Sequence, residues 1–172
     1  MALTIRTDDV HDPEVIAFLE AHVTQMRSIS PPESVHALDV AGLRRPEITF
    51  FVARDESGGE SGGEAGAEAG GELLGTAALK DLGDGHLELK SMRTAPHRRG
   101  EGIGAQVLAH VLDHARTQGA ARISLETGAE NFFAPARSLY RRHGFVDTEP
   151  FADYAPDPLS TFLTLRIDAT PR

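Results

Sequence analysis

The chain has 172 residues, is 40% hydrophobic, carries a formal net charge of -9 and contains no cysteine. These figures suit one compact domain spanning 1–172 and exclude a disulfide framework, a thiolate nucleophile and a thiolate metal site. No apolar run approaches the roughly 18 residues of a membrane span, and "MALTIRTDDVHDPE" puts acids where a secretion signal wants basic and then apolar residues, so a cytoplasmic chain is expected.

In chain order, "LTIRT" alternates as a short strand, and "DPEVIAFLEAHVTQMRSI" is a helix with Asp12 as cap and Pro13 in its first turn. "PPESVHALDVAGL" predicts a second, shorter helix begun by its prolines. "EITFFVARD" and "ELLGTAALKDL" are hairpin partners. Between them, 55–72 is an acidic, low-complexity loop with six acids and no base, so the rest of the chain holds only -3. Glu56, Glu60, Glu64, Glu68 and Glu72 are evenly spaced, and on a helix they would stack like charges on one face. This acidity, with no basic stripe elsewhere, predicts neither a nucleic-acid nor a membrane partner.

"HLELKSMRT" is another alternating strand, placing Leu87, Leu89 and Ser91 on one face and Glu88, Lys90, Met92 and Thr94 on the other. After a glycine-rich stretch, Ile103, Val107, Leu108, Val111, Leu112 and Ala115 share a helical face, with Gly119 as the stop. "ARISLET" is a strand, "PARSLYRRHGF" a helix from Pro135, and "FVDTE" and "STFLTLRI" are the last strands. The order β-α-α-β-β-β-α-β-α-β-β predicts an α/β fold in which helices cover both faces of a mixed sheet.

The stretch 98–105 carries the chemistry. Bare amides at a helix start, with the positive end of the dipole behind them, bind anions, and glycine lets a phosphate reach the backbone. Arg98 and Arg99 add positive charge. A phosphate or pyrophosphate cradle is therefore expected around Gly100, Gly102, Ile103, Gly104 and Ala105. No Gly-Lys-Ser/Thr follows, so this is not a Walker loop. A dinucleotide fingerprint is the rival, with Gly100, Gly102 and Ala105 as G-x-G-x-x-A and Glu126 as the ribose acid, although "APHRR" separates the glycines from their strand.

Arg99, Gly102 and Gly104 in "RGEGIG", with "SLYRRHGF" at 138–145, resemble the R-x-x-G-x-G/A and "LY..GF" blocks of the GNAT superfamily of N-acetyltransferases. "SPPESVHALD", "SLETG" and "PFADY" are similar to its small bacterial YsnE-like branch. The resemblance implies the GNAT acyl-CoA N-acyltransferase fold, acetyl-CoA as donor, and direct attack by a primary amine of a small molecule or amino acid. It implies Tyr140 as the acid for the leaving thiolate, and Glu88 or a chain of waters as the base. Backbone at Met92, Arg93 and Thr94 would serve the cofactor and its carbonyl oxygen. Many relatives carry an asparagine seven residues before the tyrosine; Phe133 stands there, with Asn131 as substitute and Pro135 delaying the helix by pushing Ala134 into an extended conformation. Glu33, His36, Tyr154 and Asp157 are candidates for the acceptor side, and a homodimer is compatible, since many relatives pair. A non-catalytic acyl-CoA-binding module and a nicotinamide oxidoreductase are the alternatives. His110 and His114 have the spacing of helical zinc ligands but no third ligand, so no metal is expected.

Overall fold

A computed structural model describes residues 1–58 and 70–167. Their strands are β1 (Leu3–Asp8), β2 (Ile48–Asp55), β3 (Glu72–Asp81), β4 (His86–Thr94), β5 (Arg122–Gly128), β6 (Val146–Asp147) and β7 (Ser160–Arg166). Their helices are α1 (Pro13–Ile29), α2 (Val40–Leu43), α3 (Ile103–Thr117) and α4 (Ala134–Arg142). The strands form one sheet in the order β1-β2-β3-β4-β5-β7-β6. Every neighbouring pair is antiparallel except β4 and β5, which α3 joins as a crossover. Predicted and observed element orders agree.

Helices cover both faces because the strands alternate apolar residues on both. On one face the predicted stripe of α3 is buried with Phe51, Leu74 and Leu125. On the other, Val15 and Leu19 of α1 pack with Phe50, Val52 and Leu73. Asp12 caps α1 by accepting from the Glu14 N–H at 2.9 Å. Arg54, only 5% exposed, donates to Asp12 at 2.9 Å and Glu14 at 2.7 Å, so its buried charge is paired while it ties α1 to β2. The middle of the acidic segment, 59–69, lies outside the described residues; its ends, Asp55 and Glu72, close β2 and open β3.

Three local expectations are corrected. The second helix does not begin at the prolines: Pro32–Ser34 makes one 3-10 turn, Val35 is extended, and α2 starts at Val40, where Asp39 accepts from the Gly42 N–H at 2.8 Å. Nor does Pro135 delay α4. Ala134 is right-handed helical (φ -57, ψ -40) because the turn Asn131–Phe133 runs straight into the helix, whose first turn accommodates proline. The third correction matters for function. Ser91 has φ 52, and the β3–β4 register shifts between Thr76 and Ala78, so the alternation of β4 reverses there. Leu89 and Met92 consequently join one hydrophobic cluster, while Arg93 lies against α1. Glu88 and Lys90 thus share a face with Arg93, and not with Met92 and Thr94. Thr76 Oγ1 donates to the Ser91 carbonyl at 2.8 Å and holds the strained residue.

Candidate active site

Pairing of β4 with β5 stops at Leu89 and Leu125; beyond it the strands part and a cavity of about 760 Å³ opens. One end is the start of α3. Gly100 (φ 85) and Gly102 (φ 78) are left-handed, and a Cβ at either would meet nothing within 4 Å, so the backbone is bare toward the opening. Gly102 occupies the N-cap position with no side chain capping the helix, which leaves the amides of Ile103, Gly104 and Ala105 available to an anion. Arg99 lines the cavity with its guanidinium 5.6 Å from the Phe132 ring. Thr94 Oγ1 and Met92 Cε approach Gly104 from β4.

Arg98 is the exception among the expected anion-binding residues. Its side chain turns away into an acidic cluster, bonding Glu101 at 2.9 Å, Glu72 at 2.5 Å and approaching Asp55 at 3.8 Å, and it is not among the cavity's lining residues. Arg98 ends the 3-10 turn Pro96–Arg98 while Arg99 is extended, so the two side chains part, and the carboxylates at the ends of β2 and β3 claim Arg98.

At the other end stands Glu126, the first residue of β5 beyond the paired stretch. Its carboxylate accepts from Ser160 Oγ at 2.9 Å. Burial pushes its pKa from 4.5 up to about 7, opposed by Ser160 and Lys90 and reinforced by Glu88 and Asp157. Tyr140, 6% exposed, lines the same space. Burial, and then the charge of Glu126, raises its phenol above the ordinary value of 10, and its hydroxyl makes no hydrogen bond among the described residues. Glu88 is 3% exposed, and its Oε1 accepts from the Tyr154 hydroxyl at 2.5 Å and from Lys90 Nζ at 3.0 Å. His36 packs edge-on against Tyr154, with ring centroids 5.0 Å apart.

The structure therefore brings Tyr140, Glu88, the segment Met92 to Thr94, Arg99, the glycine turn, His36 and Tyr154 to one cavity. Besides Arg98, three expected residues are elsewhere. Asn131 is exposed, and the neighbouring Phe132 and Phe133 line the cavity instead. Gly128 makes that possible, since a Cβ there would overlap the Phe133 ring. Glu33 is exposed and off the cavity. Asp157 is off the lining too but accepts from Ser34 Oγ at 2.6 Å, while Glu130 accepts from Ser30 Oγ at 2.7 Å; the two bonds tether the segment after α1 to the opposite lip.

Sequence reasoning missed the buried carboxyl of Glu126 as a candidate acid–base group, and missed His22 in the cavity wall. The signal for Glu126 was a carboxylate directly after the apolar, buried stretch Ile123–Leu125 of a strand. His110 and His114 stack edge-on against Phe51 at 5.8 and 5.0 Å. Among the described residues no three His, Cys, Asp or Glu could hold a metal ion, and no helix is long and apolar enough to cross a membrane.

The model of the Acetyltransferase (GNAT) family matches residues 22–145, which contain every lining residue of the cavity except Tyr154. The chain belongs to the GNAT family. It is 44% identical to the uncharacterized N-acetyltransferase YedL of Escherichia coli (strain K12) over 95% of this chain and 94% of that protein. It is 42% identical to the uncharacterized N-acetyltransferase YsnE of Bacillus subtilis (strain 168) over 95% and 99%. The structure of yncA from Salmonella typhimurium, solved with its cofactor acetyl-CoA, superposes with a TM-score of 0.67 over 100% of this chain and 98% of that one, at 18% identity, a likeness of fold. Membership in the GNAT family removes the nicotinamide oxidoreductase alternative: the 3-10 turn Pro96–Arg98 separates the glycines from β4, where a dinucleotide fingerprint would follow its strand directly.

Proposed function

We propose that this GNAT protein is a cytoplasmic enzyme that transfers an acetyl group from acetyl-CoA to a primary amine of a small molecule or amino acid by direct attack. The observation carrying this reading is that one opening joins an anion cradle to a carboxyl held near neutrality. Acetyl-CoA supplies the activated acyl group and the thiolate that leaves. The amides of residues 102–105 and the Arg99 guanidinium suit its pyrophosphate, and bare space at the Cβ positions of Gly100 and Gly102 lets phosphate oxygens come close.

β4 has no β5 partner beyond Leu89, so the backbone N–H groups between Lys90 and Thr94 that point away from β3 are available to charge developing on a carbonyl oxygen. Tyr140 stays protonated at neutral pH and donates its proton to the departing thiolate, whose ordinary pKa is about 8.5. Glu126 accepts the proton of the amine, because a base works best with a pKa near the working pH. This departs from the sequence expectation of Glu88, whose Oε1 is already occupied by two donors and which positions Lys90 and Tyr154. His36 and Tyr154 wall the acceptor's entrance. Support also comes from yncA, whose fold this chain shares and which holds acetyl-CoA.

The test is simple because the chain has no cysteine: in a mixture of protein, acetyl-CoA and an amine, any thiol titrated by a disulfide dye is released coenzyme A. Amine-dependent release is expected. Thermal stabilisation by acetyl-CoA with no release for any amine would support the binding-module alternative instead. A paired substitution checks the cradle by calorimetric titration. Arg99→Ala should weaken acetyl-CoA binding by about ten- to a hundred-fold, the worth of one charge-assisted contact. Arg98→Ala, whose ion-pair partners among the described residues are Glu101, Glu72 and Asp55, should stay within about threefold. Equal losses would show that both arginines serve the cofactor.

A further inference from the structure

The bulge at Ser91 has placed one cation where the proposed chemistry does not use it. Arg93 leaves the cofactor face of β4 and lies on the α1 side, its guanidinium 5.1 Å from the Phe18 ring centroid. It lines the same cavity as Glu126 and Glu88. Its sole hydrogen bond among the described residues is from Nη1 to Gln25 Oε1, at 3.3 Å, and its Nε is buried without a partner. Nor does any carboxylate among the described residues pair with it or with Arg99. Desolvation, and then the charge of Arg99, lowers its pKa from 12.5. His22 lines the same cavity, held neutral with a pKa of about 4 by burial, Arg93 and Arg99.

A half-buried guanidinium near a second one, with no acid and an unused Nε–Nη2 edge, is costly unless something anionic arrives. Such an edge carries two parallel N–H donors, which match the two oxygens of a carboxylate. The location narrows the source. Met92 and Thr94, on the other face of β4, approach Gly104 of the phosphate cradle, whereas Arg93 faces α1, on the side of β4 that carries Glu88 and Lys90.

We propose that Arg93 receives a carboxylate of the acceptor, so that the amine acetylated by this enzyme belongs to an amino acid. This rests on the reading above that the acceptor is an amine. Arg93 is then a specificity residue: it anchors the acid end, Phe18 and Gln25 hold its fork in place, and the amino group is left toward Glu126. Neutral His22 adds no competing charge and can bond a carboxylate oxygen through a ring N–H.

The experiment compares free L-amino acids with their carboxamides and their decarboxylated amines as acceptors, using acetyl-CoA and following thiol release by the unmodified protein. At least one acid should exceed its own carboxamide by about a hundredfold in kcat/KM. Arg93→Gln should raise KM for that acid by about tenfold or more, leave the carboxamide unchanged, and keep KM for acetyl-CoA within about twofold. Acids and carboxamides turned over alike would overturn the carboxylate site while leaving amine acetylation standing. A rise in KM for acetyl-CoA alone in Arg93→Gln would assign the arginine to the cofactor and overturn it too. Release with no amine at all would sink both readings together. The comparison on the unmodified protein needs no variant to fold.

Discussion

A Glu126→Gln variant is expected to lose about two to four orders of magnitude in kcat and, at the same time, to melt higher than its parent at pH 8. The first effect follows from removing the proton acceptor while keeping its shape and its bond to Ser160. The second follows from the linkage between protonation and folding. The folded-state pKa of about 7 lies above the unfolded value near 4.5, so the protonated carboxyl contributes stability that is fully present below about 4.5 and is lost as pH rises through about 7. The difference corresponds to at most about 3 kcal/mol at pH 8, or roughly 5–10 °C in melting temperature for a chain of this size. Glutamine mimics the protonated form and avoids that cost, so the gain over the parent should vanish by about pH 4.5. In the parent, kcat/KM should rise about tenfold per pH unit up to about 7 and then level. A variant that keeps the parent's activity and pH profile would show that another group, with Glu88 first in line, accepts the proton.

Tyr140→Phe should lower kcat by about two to three orders of magnitude with little change in the KM for acetyl-CoA. The ring is buried against Phe145, with centroids 5.8 Å apart, and phenylalanine fills the same space. Because the hydroxyl bonds nothing among the described residues, its removal should leave the melting temperature unchanged or slightly raised. The defect should shrink with a thioester whose leaving thiol is more acidic, since a better leaving group needs less help from an acid. If the slow variant gains nothing from such a donor, the hydroxyl acts in some way other than protonating the thiolate.

Much of the molecule was legible along the chain because local physics governs it. The apolar stripe of α3, the cap of α1 at Asp12, the β2–β3 hairpin and the glycine turn each depend on neighbours a few residues away. The same holds for Tyr140, whose surrounding block is a contiguous motif. The splitting of Arg98 from Arg99 was not legible, since it depends on Asp55 and Glu72, which reach the turn only when β2 and β3 pair. The facing of β4 failed for a related reason. Strict alternation assumes an unbroken ladder, and Ser91 breaks it by adopting a left-handed conformation that serine does not announce.

By itself, then, the sequence determined the order of elements, the glycine turn before α3 and the family, because helix starts, backbone freedom and apolar periodicity are written in adjacent residues. The tertiary structure decided which carboxyls are paired, which one is buried with a raised pKa, and which arginine has no acid beside it. Glu88 is engaged by a tyrosine 66 residues away, Glu126 by a serine 34 residues away, and Arg93 by α1, 68 residues from Gln25. Desolvation and Coulomb energy depend on what lies within a few ångströms, and those neighbours exist only once the distant segments have packed.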